Sequence, residues 1–78
     1  MSRELKELLE AKQTTRVQLD KCIAEKGQGV LYLLDLDQIY NGVYLNIEDG
    51  KLKDPDGGYK GDLNTLEDIE AYYNVRGL

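Results

Sequence analysis

The side chains that could do chemistry in this chain are almost all carboxylates. Asp35 and Asp37 lie two residues apart, and Glu48 follows in the next apolar run. Carboxylates at that spacing fall on one side of an extended strand. There a pair can take up a proton, hold a divalent cation or meet a cationic partner. The groups that would complete a catalytic centre are missing. The chain has no His, and its one cysteine is Cys22. Without an imidazole it lacks the commonest general base and metal ligand near neutral pH. A strand face is also not a pocket. These carboxylates therefore point to binding rather than catalysis, with no catalytic residue, cofactor or metal assigned.

Residues 56–67 are spaced superficially like a calcium loop, with Gly61 at position 6 and Glu67 at position 12. Positions 3 and 5 are Gly58 and Lys60, where such a loop needs oxygen ligands. A lysine inside a cation site opposes the cation, so Asp54, Asp56 and Asp62 read as turn and capping residues.

The charge is uneven. Residues 1–26 carry six bases and five acids, whereas residues 27–78 carry four bases and ten acids, a net of −6. An acidic half repels phosphate backbones and suits a basic protein surface. Nucleic acid is therefore an unexpected partner. Seventy-eight residues predict one domain, 1–78, with about 4–12 kcal/mol of stability. No apolar run reaches the ~20 residues of a membrane span, and the charged start Met-Ser-Arg-Glu is unlike a signal peptide. With a lone cysteine besides, a cytoplasmic protein without membrane association is expected.

The elements that must position the carboxylates follow from periodicity. Residues 3–26 read as one helix or a helix pair. Leu5, Leu8 and Leu9 form one stripe; Leu19, Cys22 and Ile23 form another at the same spacing. The seam between them is polar at Lys12, Thr15 and Arg16, and Thr15 with Gln18 has the form of a capping box. Cys22 reads as a small core residue, and Gly27 and Gly29 as a helix stop.

Residues 30–40 and 43–48 alternate in polarity around Asn41-Gly42. Asn-Gly is the strongest short hairpin signal, because a type I′ turn needs positive φ at both central positions. A turn there pairs Tyr40 with Val43, Gln38 with Leu45 and Leu36 with Ile47. Val30, Tyr32, Leu34 and Leu36 then point to the core with Val43, Leu45 and Ile47. The other face receives Leu31, Leu33, Asp35, Asp37, Ile39, Tyr44, Asn46 and Glu48, with Asp35 opposite Glu48. Like charges directly opposed destabilise a ladder, so this face is a candidate for partner binding through Asp35, Asp37, Tyr44, Asn46 and Glu48. Leu31, Leu33 and Ile39 on the same face would mark an oligomer contact, with a homodimer as one outcome. Asp49-Gly50 is a second turn signal, adding a strand at 51–54. A last helix over about 65–74 starts with a Thr65 or Asn64 cap and buries Leu66, Ile69 and Tyr73, with Val75 and Leu78 packing beyond. The expected fold class is α+β: a helix or helix pair, a three-stranded antiparallel meander, then a helix.

In part, residues 5–42 resemble the phage-repressor type of helix-turn-helix domain. The residues that carry this are Leu5–Lys12, then Thr15, Leu19 and Ile23, and the closing Ile39-Tyr40-Asn41-Gly42. The resemblance implies DNA binding. The stretch that would enter the major groove, 30–37, holds two acids and no base, contrary to what base readout needs. The leading expectation is a small acidic, non-enzymatic binding protein that occludes a basic or nucleic-acid-binding surface of a partner protein. Small phage and mobile-element inhibitors of host enzymes and defence systems share this size, charge and lack of catalytic groups. A homo-oligomeric assembly subunit comes second, and a helix-turn-helix-like regulator third.

Overall fold

The computed structural model describes residues 2–77. Helix α1 (Arg3–Glu10) opens the chain. Five strands follow: β1 (Thr15–Gln18), β2 (Ile23–Lys26), β3 (Val30–Leu34), β4 (Tyr40–Glu48) and β5 (Lys51–Lys53). Helix α2 (Leu66–Arg76) closes it. The strands form one antiparallel meander in sequence order. The fold is α+β, but the sheet has five strands rather than three. No helix among the described residues is long and apolar enough to cross a membrane.

The N-terminal helix is real but short. The Ser2 hydroxyl accepts from the Leu5 N–H at 3.3 Å and caps it, while Leu5, Leu8 and Leu9 are buried. The expectation of helix through residue 26 is corrected: residues 15–26 form the β1–β2 hairpin. Continued helix would turn Lys12, Thr15 and Arg16 onto the core side, where an unpaired charge loses its hydration. As strands, Thr15 and Val17 face inward with Ala24, and Arg16 faces outward. The expected Arg16–Asp20 helix pair is replaced by Arg16 Nε donating to Glu25 Oε1 across the hairpin at 3.0 Å. The Thr15 capping box does not form; its hydroxyl donates to the Gln13 carbonyl. Gly27 and Gly29 make the β2–β3 turn rather than a helix stop. Lys26 donates its ammonium to the Ala11 carbonyl, satisfying the frayed end of α1. Of the repressor resemblance only the first helix, expected at Leu5–Lys12, overlaps a helix, α1; strands at Thr15–Gln18, Ile23–Lys26 and Val30–Leu34 stand where its later helices would lie.

A second correction concerns the turn between β3 and β4. The chain reverses through residues 35–39, and Asn41-Gly42 lies inside β4. Tyr32 pairs with Tyr44 and Leu33 with Val43, but Leu34 pairs with Tyr40, so Asn41 and Gly42 bulge from the ladder. Gly42 at φ +88° supplies the conformation the bulge needs. The new register differs from the expected one by an odd number of residues, which turns β3 over. Leu31 and Leu33 now face the core and are fully buried. Their burial contributes about 1.5–3 kcal/mol each. That exceeds what the tight turn offers, so packing overrides the local turn signal.

The remaining elements follow the sequence reading closely. Asp49 at φ +53° and Gly50 at φ +76° make the second turn, and Ile47 pairs with Leu52 as expected. Thr65 caps α2 in a capping box with Asp68. Within α2, Ile69 is buried as expected, but Tyr72 rather than Tyr73 is the fully buried tyrosine, Leu66 and Tyr73 being partly buried, and Val75, expected to pack, is exposed; Leu78 lies outside the described residues. Both helices pack on one sheet face. Leu5, Leu8, Leu9, Ile69 and Tyr72 join Ala24, Leu31, Leu33, Val43, Leu45 and Leu52 in one core. The opposite face has no helix over it among the described residues.

Candidate functional site

The uncovered face is set by the register. Along β3 and β4 it carries Val30, Tyr32, Leu34, Tyr40, Tyr44 and Asn46, since directly paired residues share a face; Leu34 and its β2 partner Ile23 are nonetheless buried there. Glu25 joins from β2, opposite Tyr32, and Arg16 from β1, opposite Glu25. Tyr32 and Tyr40 touch edge to face, with ring centroids 5.3 Å apart at 83°. Tyr44 stands opposite Tyr32. The Tyr40 phenol is raised above its ordinary value, by burial first and then by the neighbouring Tyr44 and Tyr32 phenols. These rings present amphipathic surface.

The β3–β4 loop lies at one end of this face, and its shape comes from Asp35. One carboxylate oxygen accepts the N–H of Asp37 at 3.0 Å and of Ile39 at 2.9 Å. The other accepts from the Asn41 amide at 3.3 Å. The Asp35 backbone closes the loop at both ends, donating to the Ile39 carbonyl at 3.0 Å and accepting from Gln38 N–H at 2.9 Å. Gln38 is held at φ +68°, a left-handed conformation costing a non-glycine residue about 1–2 kcal/mol. Its side chain is pinned by Arg16 at 2.7 Å. The loop is thus built in advance, and what it displays is unusual. Leu36 is 49% exposed, Ile39 56% and Tyr40 45%. Of the large hydrophobic side chains that are exposed among the described residues, only Val75 lies elsewhere. Exposed Asp37 sits between the two aliphatic residues, and its carboxylate makes no hydrogen bond within the chain among the described residues.

The face is braced from behind by Asp54. Its side chain, only 5% exposed, accepts from the Tyr72 hydroxyl at 2.9 Å and from Arg76 Nη2 at 2.8 Å. It also accepts the N–H groups of Asp56, Gly58 and Tyr59. Burial alone would raise the Asp54 carboxyl. The hydrogen bonds from Tyr72, Asp56 and Tyr59 and the Arg76 charge outweigh it and hold the carboxyl below its ordinary value. Tyr72 is pushed well up, by burial first and then by Asp54. The Tyr72 hydroxyl also lies 3.3 Å from the Tyr44 carbonyl oxygen, so α2 is tied directly to β4 behind the tyrosines.

Of the residues expected to form one acidic strip, Tyr44, Asn46 and Glu48 do share the uncovered face. Asp35 and Asp37 belong to the loop instead. The expected Asp35–Glu48 opposition does not exist; Glu48 pairs with Lys51 in the ladder and lies 3.8 Å from the Lys53 ammonium. Asp35 is a loop-building residue, and the Asp37 carboxylate is left exposed without a hydrogen bond among the described residues. Leu31 and Leu33, expected as an oligomer contact, are core instead, whereas Ile39 is exposed. The sequence reading missed Tyr32, Tyr40 and Leu36, which it turned inward. The parity of β3 was ambiguous because residues 30–34 are apolar throughout. The signal that could have found the loop is Asp35-Leu36-Asp37-Gln38, where an Asp can bond the backbone two residues on.

Fold and site together define a two-layer α+β protein that leaves one sheet face open and displays apolar and acidic side chains at its end. Comparisons with protein-family models, curated proteins and solved structures return no match.

Proposed function

We propose that this chain is a small acidic, non-enzymatic protein of the cytoplasm that binds a partner protein and covers a basic, nucleic-acid-binding surface on it. An inhibitor of the kind carried by phages and mobile elements against host defences fits that mode of action. The observation that supports the reading is the prebuilt β3–β4 loop, with Leu36, Ile39 and Tyr40 exposed around the free carboxylate of Asp37. Interfaces draw most of their energy from a few rigid apolar and aromatic anchors. A loop already held in shape loses little entropy on docking. Charge favours the same partner: residues 27–78 carry ten acids against four bases, and the loop 35–39 itself holds two acids and no base. Nucleic acid is repelled there, and a basic protein surface is steered in.

The test is capture of basic nucleic-acid-binding proteins by the immobilised chain over a salt series, followed by a competition assay. A captured partner should lose its own nucleic-acid binding as occupancy rises, and its affinity should fall as salt rises. Affinity that does not change with salt for any captured partner refutes the electrostatic mechanism. A partner that keeps its nucleic acid while bound refutes occlusion.

A further inference from the structure

The four asparagines of this chain do not stand alike toward their own backbone. Asn46, Asn64 and Asn74 precede Ile47, Thr65 and Val75, whose branched side chains crowd the following amide nitrogen. Asn41 precedes Gly42, which has no side chain to crowd it. The fold leaves this pair open as well. Tyr40 pairs with Leu34 and Val43 with Leu33, but neither Asn41 nor Gly42 has a partner in the ladder. Both are exposed, and nothing beyond its chain neighbours lies within 4 Å of the place a Cβ would take at Gly42. The Asn41 side-chain amide has one hydrogen bond among the described residues, to Asp35 at 3.3 Å. An asparagine so placed reacts with its own main chain, because the two groups are already neighbours. The Gly42 nitrogen attacks Asn41 Cγ, and the new N–Cγ bond closes a five-membered imide. The Cγ–Nδ2 bond breaks, and Nδ2 leaves as ammonia with the proton that Gly42 gives up. Water then opens the imide at either carbonyl. One opening gives aspartate; the other gives the isomer in which the main chain runs through the side-chain carboxyl.

We propose that Asn41 is a self-modification site, and that its deamidation takes apart the β3–β4 loop. The amide that donates to Asp35 is replaced by a carboxylate, so two negative charges meet where a hydrogen bond stood. Asp35 is then driven away from the N–H groups of Asp37 and Ile39, which it holds at 3.0 and 2.9 Å. The isomer also adds a backbone carbon between the paired Tyr40 and Val43, inside the bulge. Asp35 thus links a slow covalent change at Asn41 to the display of Leu36, Ile39 and Tyr40. The loss of partner binding that follows rests on the proposed function above; the chemistry and the opening of the loop do not.

Ageing the folded full-length chain in mildly alkaline buffer tests it, read by peptide mass spectrometry and amide hydrogen exchange. A mass gain of about one dalton should accumulate at Asn41, faster as pH rises, and not at Asn46, Asn64 or Asn74. The Asp-Gly pairs at 49–50 and 56–57 rearrange only without a change of mass, so they do not confuse the reading. Asn41→Gln should stop the gain, since its longer side chain closes a ring far more slowly. Protection at Ile39 should fall about tenfold in the converted fraction and in Asn41→Asp, which makes one product directly. In Asn41→Gln it should not change with age. A folded chain that keeps its Asn41 amide for as long as the urea-unfolded chain takes to lose it overturns the proposal, because the fold then shields the site. Conversion that leaves Ile39 protection unchanged overturns the link to the loop. Either result leaves capture of a basic partner to be judged by its own salt series.

Discussion

Replacing Asp35 by Ala separates the two acids that the sequence presents as equivalent. The wild-type carboxylate accepts two backbone N–H groups and the Asn41 amide, all within 3.3 Å. Charge-assisted hydrogen bonds contribute about 1.5–3 kcal/mol when shielded and less at a half-exposed site such as this. Taking about 1 kcal/mol for each backbone bond and about half that for Asn41 gives a loss of about 2.5 kcal/mol. Release of Gln38 from its left-handed conformation returns about 1 kcal/mol. The net cost is about 1.5 kcal/mol, a fall in Tm of about 5–15 °C for a chain of this size. Asp37→Ala removes no such bond, and the cost expected is within about 0.5 kcal/mol of zero. Thermal unfolding followed by circular dichroism measures both. Amide hydrogen exchange shows where the loss falls: protection at Ile39 should drop in Asp35→Ala and stay in Asp37→Ala. Equal melting points for the two variants, or unchanged exchange at Ile39, would show that Asp35 does not build the loop.

The buried Asp54 should act as an acid-sensitive brace. Its carboxyl titrates below the ordinary value in the folded chain, so its contribution is present above about pH 4, the unfolded value, and lost as pH falls through the lower folded one. Asp54→Asn should cost about 2–3 kcal/mol at neutral pH, with the gap to wild type closing in acid; denaturant melts at several pH values report it. Leu33→Ala should cost about 2–5 kcal/mol in the same melts, whereas an exposed oligomer contact would cost almost nothing. The Cys22 thiol, pushed up to about 11 by burial and then by the Glu70 charge, should resist a disulfide reagent at pH 8 until denaturant is added. Rapid labelling of the native chain would place Cys22 at the surface.

Some of this protein was legible in its residues alone. The Leu5-Leu8-Leu9 stripe, the Asp49-Gly50 turn and the Thr65 cap are local signals, complete within a few residues, and each appears where its chemistry demands. The faces of β4 were legible too, because Val43, Leu45 and Ile47 alternate cleanly with Tyr44, Asn46 and Glu48. The α+β class and an outward Tyr44 followed from these. Residues 15–26 were not legible. Their apolar side chains fit a helical stripe as well as an alternating one, and only the absence of further core for that stripe to bury decides for strands. The orientation of β3 was open for the same reason: with residues 30–34 apolar throughout, both parities offer a hydrophobic face. Tertiary packing settles it by choosing Leu31 and Leu33 for the interior and sending Tyr32 and Tyr40, which carry polar hydroxyls, to the open side. That choice moves the reversal away from Asn41-Gly42, makes Asp35 the builder of the loop and leaves Asp37 free. Local chemistry in the sequence determined which residues turn, cap and alternate. Which side of the sheet is buried depends on how much apolar area two helices can cover, a property of the whole chain that no local pattern contains.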